Sequence, residues 1–131
     1  DKKLFKLLLI ALFSTSAFAN SNSDINLLDL YKDLHSNPEL SYKEFETSKK
    51  LSLILEGLGY EVTSGVGGNG VVALLKNGEG KTVLLRADMD GLPVEEKTGA
   101  SYASRTKALN DEGQEVFTMH ACGHDIHMTV S

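Results

Sequence analysis

Two short apolar runs, Val71-Val72-Ala73-Leu74-Leu75 and Thr82-Val83-Leu84-Leu85, constrain the fold of this chain more than any other feature. Both have the length of strands, and Asn77-Gly78-Glu79-Gly80 between them reads as a turn. Strands that are apolar without interruption belong in a sheet covered by helices on both faces. Tyr60-Glu61-Val62-Thr63 alternates and adds another strand, and Val116-Phe117-Thr118-Met119 adds one nearer the end. The expected fold class is α/β.

The covering helices are legible upstream. Ile25, Leu27, Leu28, Tyr31 and Leu34 recur at three- and four-residue steps. Pro38 closes that helix because it disfavours helical geometry at Asn37. His35, at the helix end, reads as a capping or packing residue rather than a ligand. For a second helix, Ser41-Tyr42-Lys43-Glu44 has the form of a capping box, with Ser41 as N-cap, Glu44 at N3 and Leu40 and Phe45 as the staple. Leu51, Ile54, Leu55 and Leu58 supply its apolar stripe, and Gly57 and Gly59 stop it. Residues 95–114 read as loop, with a turn at Asp111-Glu112-Gly113.

Composition narrows the function. At 131 residues, 41% hydrophobic and 24% charged, the chain has room for one globular domain. A net charge of −5 with no basic run offers nucleic acid no electrostatic footprint. A single cysteine excludes an internal disulfide. Residues 1–19 have the form of an export signal: Lys2, Lys3 and Lys6, then the apolar Leu7 to Phe13, then Ala17-Phe18-Ala19 before Asn20. The apolar run is too short to span a bilayer comfortably. The expectation is a mature chain over 20–131, periplasmic or secreted, with no membrane attachment after cleavage.

Three segments could carry chemistry. Gly65-Val66-Gly67-Gly68-Asn69-Gly70 matches G-x-G-x-x-G, but it leads into a strand, whereas a dinucleotide fingerprint opens a helix. It reads as a connection between strands. Arg86-Ala87-Asp88-Met89-Asp90-Gly91-Leu92-Pro93 follows an apolar strand directly, at the strand end where α/β sheets place chemistry. Asp88 faces the same way as Arg86, and a carboxylate near a metal-bound imidazole would fix that ring's tautomer. His120-Ala121-Cys122-Gly123-His124-Asp125-Ile126-His127 holds three of the four histidines and the only cysteine. Imidazole and thiolate in such a cluster suit zinc and other divalent transition metals. Two further readings stay open here. One is a non-catalytic exported metal-binding module. The other is a thiol enzyme with Cys122 as nucleophile and a nearby histidine as base.

Taken together, His35-Ser36-Asn37-Pro38-Glu39-Leu40-Ser41, the Arg86–Pro93 segment and Met119-His120-Ala121-Cys122-Gly123-His124-Asp125 resemble the M20 metallopeptidase family. The likeness is to its amidohydrolase branch, which includes hippurate hydrolases, N-acyl-amino-acid hydrolases and auxin-conjugate hydrolases. Gly91 departs from the alanine usual there. The resemblance implies a zinc-peptidase-like α/β catalytic domain with an inserted lid domain that often mediates homodimers. It also implies hydrolysis of N-acyl amino acids by water activated at a pair of divalent metals, zinc or manganese. On the matching positions, Cys122 and His124 are the first two metal ligands and Asp88 is the active-site carboxylate. Asp90, His120, Asp125 and His127 lie in the motifs without an assigned role. The family's general-base glutamate, its remaining ligands and its lid would fall after Ser131. The chain is therefore expected to be the N-terminal part of an exported amidohydrolase, with an incomplete sheet and no activity alone. A decayed remnant is the alternative to that reading.

Overall fold

The computed structural model describes residues 25–131, so the export signal expected over 1–19 lies outside the described residues. Helix α1, Leu27–Ser36, begins at Asn26, whose side-chain oxygen accepts from the amides of Leu28 (3.1 Å) and Asp29 (3.3 Å). It ends where Pro38 requires, and Leu34 and His35 are its buried residues.

Helix α2, Phe45–Gly57, starts later than the capping-box pattern implies. Tyr42 takes a left-handed conformation (φ 63°), so residues 41–43 form a turn and cannot open a helix. Glu44 makes no side-chain cap bond, and its carboxylate accepts from Asn69 Nδ2 at 3.0 Å instead. The cap comes from Glu39, whose two carboxylate oxygens accept from the amides of Glu46 (3.2 Å) and Thr47 (2.7 Å). An anion there meets the free amides and the positive end of the helix dipole.

Strands β1 (Glu61–Val66) and β2 (Gly70–Leu74) form an antiparallel hairpin, with Glu61 opposite Leu74 and Val66 opposite Gly70. The glycine-rich segment is its turn, as its sequence context implied. A side chain at Gly70 would lie 2.3 Å from the Val66 carbonyl oxygen, which explains glycine at that close approach. Helix α2 packs on this hairpin. Strands β3 (Lys107–Leu109) and β4 (Glu115–Phe117) form a second hairpin around the turn at Asp111–Gly113. Helix α3, His124–Val130, packs against α1.

Besides the capping box at Ser41 and the loop reading of 95–114, within which β3 forms, two further expectations are corrected. Thr82-Val83-Leu84-Leu85 forms no strand, and Val83, Leu84 and Leu85 are exposed. No other described segment pairs with this run, and a strand without a partner leaves its backbone groups unbonded. The described sheets are two separate antiparallel pairs, not one sheet covered on both faces.

What gathers the functional segments is a set of backbone bridges. Leu40 pairs with Gly91 in parallel, and Leu92 pairs with Met119 in antiparallel fashion. The Gly91 amide donates to the Glu39 carbonyl, and the Leu92 and Met119 amides exchange bonds of 2.8 and 3.0 Å. Thr118, almost wholly buried, ties the same layer together by donating its hydroxyl to the Pro38 carbonyl at 3.1 Å. The segments around Pro38, Gly91 and Thr118 therefore lie side by side, and all three motifs emerge at one place.

Candidate metal centre

The bridge between Leu92 and Met119 sets the Asp88–Asp90 loop beside the turn that enters α3. Gly123, in the left-handed region (φ 80°), makes that turn. His124, mostly buried, is the first residue of α3. Its Nδ1 lies 2.9 Å from the Asp90 carbonyl oxygen and 3.0 Å from Asp90 Oδ1. A carbonyl oxygen can only accept, so Nδ1 carries a proton, and in the neutral ring this leaves the lone pair on Nε2. Asp88 Oδ2 lies 4.0 Å from that Nε2. Asp88 also pairs with Arg86 at 2.5 Å between Nη2 and Oδ1. Asp90 is held in turn, because Ser41 Oγ donates to its Oδ2 at 2.5 Å. Ser41, expected to cap a helix, thus faces the candidate centre.

The orienting contact on His124 comes from Asp90 and not from Asp88, which was expected to play that part. The difference follows from reach. Asp90 adjoins the Gly91 bridge and reaches Nδ1 at 3.0 Å, whereas Asp88, two residues back, comes only within 4.0 Å of Nε2.

Imidazole and thiolate are donor types that suit zinc and other divalent transition metals. An imidazole whose Nδ1 is committed to a carbonyl and a carboxylate presents Nε2 for ligation, the usual arrangement behind a metal-bound histidine. Cys122, two residues before it, is an exposed free thiol. Among the described residues, no group of three or more His, Cys, Asp or Glu converges to hold a metal. Zinc sites use three or four protein ligands.

The remaining histidines divide by environment. His127 is exposed, with its ring centroid 6.4 Å from that of His124. His120 is buried, and neither of its ring nitrogens has a hydrogen-bond partner among the described residues. Burial pushes its imidazole below the ordinary histidine value.

His35, expected to pack or cap, packs. It sits between two carboxylates: Nδ1 donates to Asp125 Oδ2 at 2.6 Å and Nε2 donates to Glu96 Oε1 at 3.1 Å. Burial opposes its charge, but the hydrogen bonds to Asp125 and Glu96 outweigh it and raise its pKa. Glu96 is pulled the other way. Its burial is outweighed by hydrogen bonds from Thr98, His35 and the Ser104 amide, so its pKa is lowered. Glu96 carried no signal in the sequence. It lies in a polar loop, and only the folded chain brings it to a residue 61 positions away.

Residues 84–131 match the profile of peptidase family M20/M25/M40. This chain is an M20 family member. It is 45% identical over 106 residues to thermostable carboxypeptidase 2 of Saccharolobus solfataricus, covering 79% of this chain and 25% of that protein. It is 43% identical over 97 residues to hippurate hydrolase of Campylobacter jejuni, covering 73% of this chain and 23% of that one. Among solved structures, a Bacillus subtilis protein described as a dinuclear metal binding peptidase of the M20 family superposes with a TM-score of 0.65 at 37% identity. That match covers 79% of this chain and 27% of that one. The M20 chain described here therefore spans about a quarter of the length of the curated relatives it matches, and its α/β fold is that of the corresponding part of an M20 catalytic domain.

Proposed function

We propose that this M20 chain supplies part of the catalytic centre of a metal-dependent amidohydrolase that cleaves N-acyl amino acids of the hippurate type. The observation that carries the reading is the fixed tautomer of His124, whose Nδ1 is committed to Asp90 while Nε2 is left to a metal. Cys122 and His124 would hold the ion, and two ions, zinc or manganese, would occupy the complete centre. A bound metal supplies polarisation of the amide carbonyl and a water of lowered pKa. Asp90 holds the His124 ring and its proton in place. Asp88, paired with Arg86, keeps a negative charge near Nε2. The solved relative described as dinuclear supports the metal pair, and the hippurate hydrolase among the relatives supports the substrate class.

On this reading residues 1–19 direct export to the periplasm or the medium, and the 131 residues alone bind metal weakly and turn over no amide. The test is hydrolysis of hippurate by the protein as its source cell makes it, before and after exhaustive chelation. Loss of activity on chelation and its return with zinc or manganese is expected. Activity that survives chelation but is lost on alkylation of Cys122 would instead establish the thiol-enzyme reading.

A further inference from the structure

We propose that His35, with Asp125 and Glu96, is a positioning device that fixes the entry of α3, so that Cys122 and His124 meet a metal in one geometry. The proposal rests on the metal reading above. It concerns residues that touch neither metal nor substrate.

The chemistry of the cluster is unusual for so small an interior. Both contacts of the His35 ring are to carboxylate oxygens, which accept, so both ring nitrogens must donate and the ring is an imidazolium. One cation is thus enclosed by two anions. Asp125 is only 2% exposed, and the Glu96 side chain is fully covered. Tyr102 meets the ring edge-on at 5.3 Å between centroids, and Tyr31 lies at 5.6 Å. Each carboxylate is further bonded. Asp125 Oδ1 accepts from the Ile126 amide at 2.9 Å, and Glu96 Oε2 accepts from the Ser104 amide at 2.5 Å. Thr98 Oγ1 donates to Glu96 Oε1.

Three separate parts of the chain meet here: the last turn of α1, the loop carrying Glu96, and the first turn of α3. Asp125 adjoins His124 and lies three residues after Cys122. Its carboxylate is tied to α1 on one side, while the His124 ring is tied to Asp90 on the other. The short α3 is thus clamped at its entry from two directions. Few apolar side chains share that work, since the buried hydrophobic residues among those described are Leu34, Leu40 and Met128. A buried ion pair is directional, and it fixes the relative placement of its elements in a way that apolar contact does not.

The experiment uses the protein as its source cell makes it, loaded with Co²⁺. Three variants are compared with wild type: His35→Gln, Glu96→Gln, and Ser52→Val as a control. Ser52 bonds to Ser64 between α2 and β1, remote from the centre, so its loss lowers stability without touching the clamp. The readouts are Co²⁺ affinity by titration, the thiolate-to-cobalt charge-transfer band, and the melting temperature of the metal-free protein. The expected result is Co²⁺ binding weakened about 10-fold or more in His35→Gln and Glu96→Gln, with a shifted or weakened band. Ser52→Val should leave affinity and band unchanged. If His35→Gln fails to fold, Glu96→Gln carries the test, because it keeps shape and an acceptor. Unchanged affinity and band in a folded Glu96→Gln would overturn the proposal, as would an equal loss of affinity in Ser52→Val. A wild-type protein with no thiolate band would overturn the metal reading itself, a different result from either.

Discussion

Two regions of the molecule differ in what holds them, although the buried residues of α2, Thr47, Ser48 and Ser52, are polar as well. Around α1 and α3 the interior is polar: His35, Asp125, Thr118, Ser104 and His120 are all buried. Around α2, β1 and β2 the secondary structure is regular, yet Leu53, Val72 and Leu74 are exposed, as is the run from Val83 to Leu85 that follows. In the first region position is set by directional bonds between distant residues. In the second it is set by local backbone pairing, and the apolar side chains find little to bury against. Regular secondary structure is therefore no guide to where this chain is tightly held.

The largest expected effect lies in the polar region. His35→Ala leaves two buried carboxylates without their cation, and breaking such a pair costs about 3 kcal/mol or more. Urea denaturation should read this directly. The pH dependence carries a sign. The raised pKa of His35 means its stabilisation is complete below the ordinary histidine range and lost as pH rises through the raised value. The lowered pKa of Glu96 means its contribution is complete above the ordinary carboxylate range and lost as pH falls through the lowered value. Melting temperature should therefore be highest between those ranges and fall on both sides, and His35→Ala should flatten the alkaline fall.

Gly91→Ala comes next. A side chain there would lie 2.8 Å from Pro38 Cβ, 3.3 Å from the Met119 carbonyl oxygen and 3.4 Å from that of Glu39. Overpacking of this kind costs about 1–3 kcal/mol. The family resemblance makes alanine ordinary at this position, so a neutral result would show that the Pro38 segment can move aside. Thr118→Val removes the hydroxyl that donates to Pro38, and a loss of about 1 kcal/mol is expected in the same denaturation measurement.

The smallest effect is expected in the apolar region. Leu84 is 85% exposed, and Leu84→Ser should shift the stability of this chain by less than about 0.5 kcal/mol. A loss above 1 kcal/mol in the protein as its source cell makes it would show that Leu84 is covered there, and the contrast between the two regions would then belong to this segment alone.

Much of the architecture was legible in the residues. The end of α1 at Pro38, the strands near Val62 and Val72 and the turn at Asp111–Gly113 all follow from local patterns. So does the exclusion of the glycine-rich segment as a nucleotide site, because strand context is a local property. Local patterns failed where a competing partner was distant. Ser41 and Glu44 form a sound capping box by spacing, but Asp90 takes the Ser41 hydroxyl and Glu39 takes the helix amides. Val83 to Leu85 reads as a strand by composition, but a strand exists only when another segment pairs with it.

By itself the sequence determined the helices and turns, the cluster of metal-suited side chains, and the kinship those motifs declare. Only the tertiary structure decided which carboxylate orients His124, and that His35 is an imidazolium held between Asp125 and Glu96. The reason is physical. Helices and turns are set by bonds within a few residues of one another, whereas a tautomer or the charge of a buried ring depends on acceptors that folding brings from 34, 61 and 90 residues away.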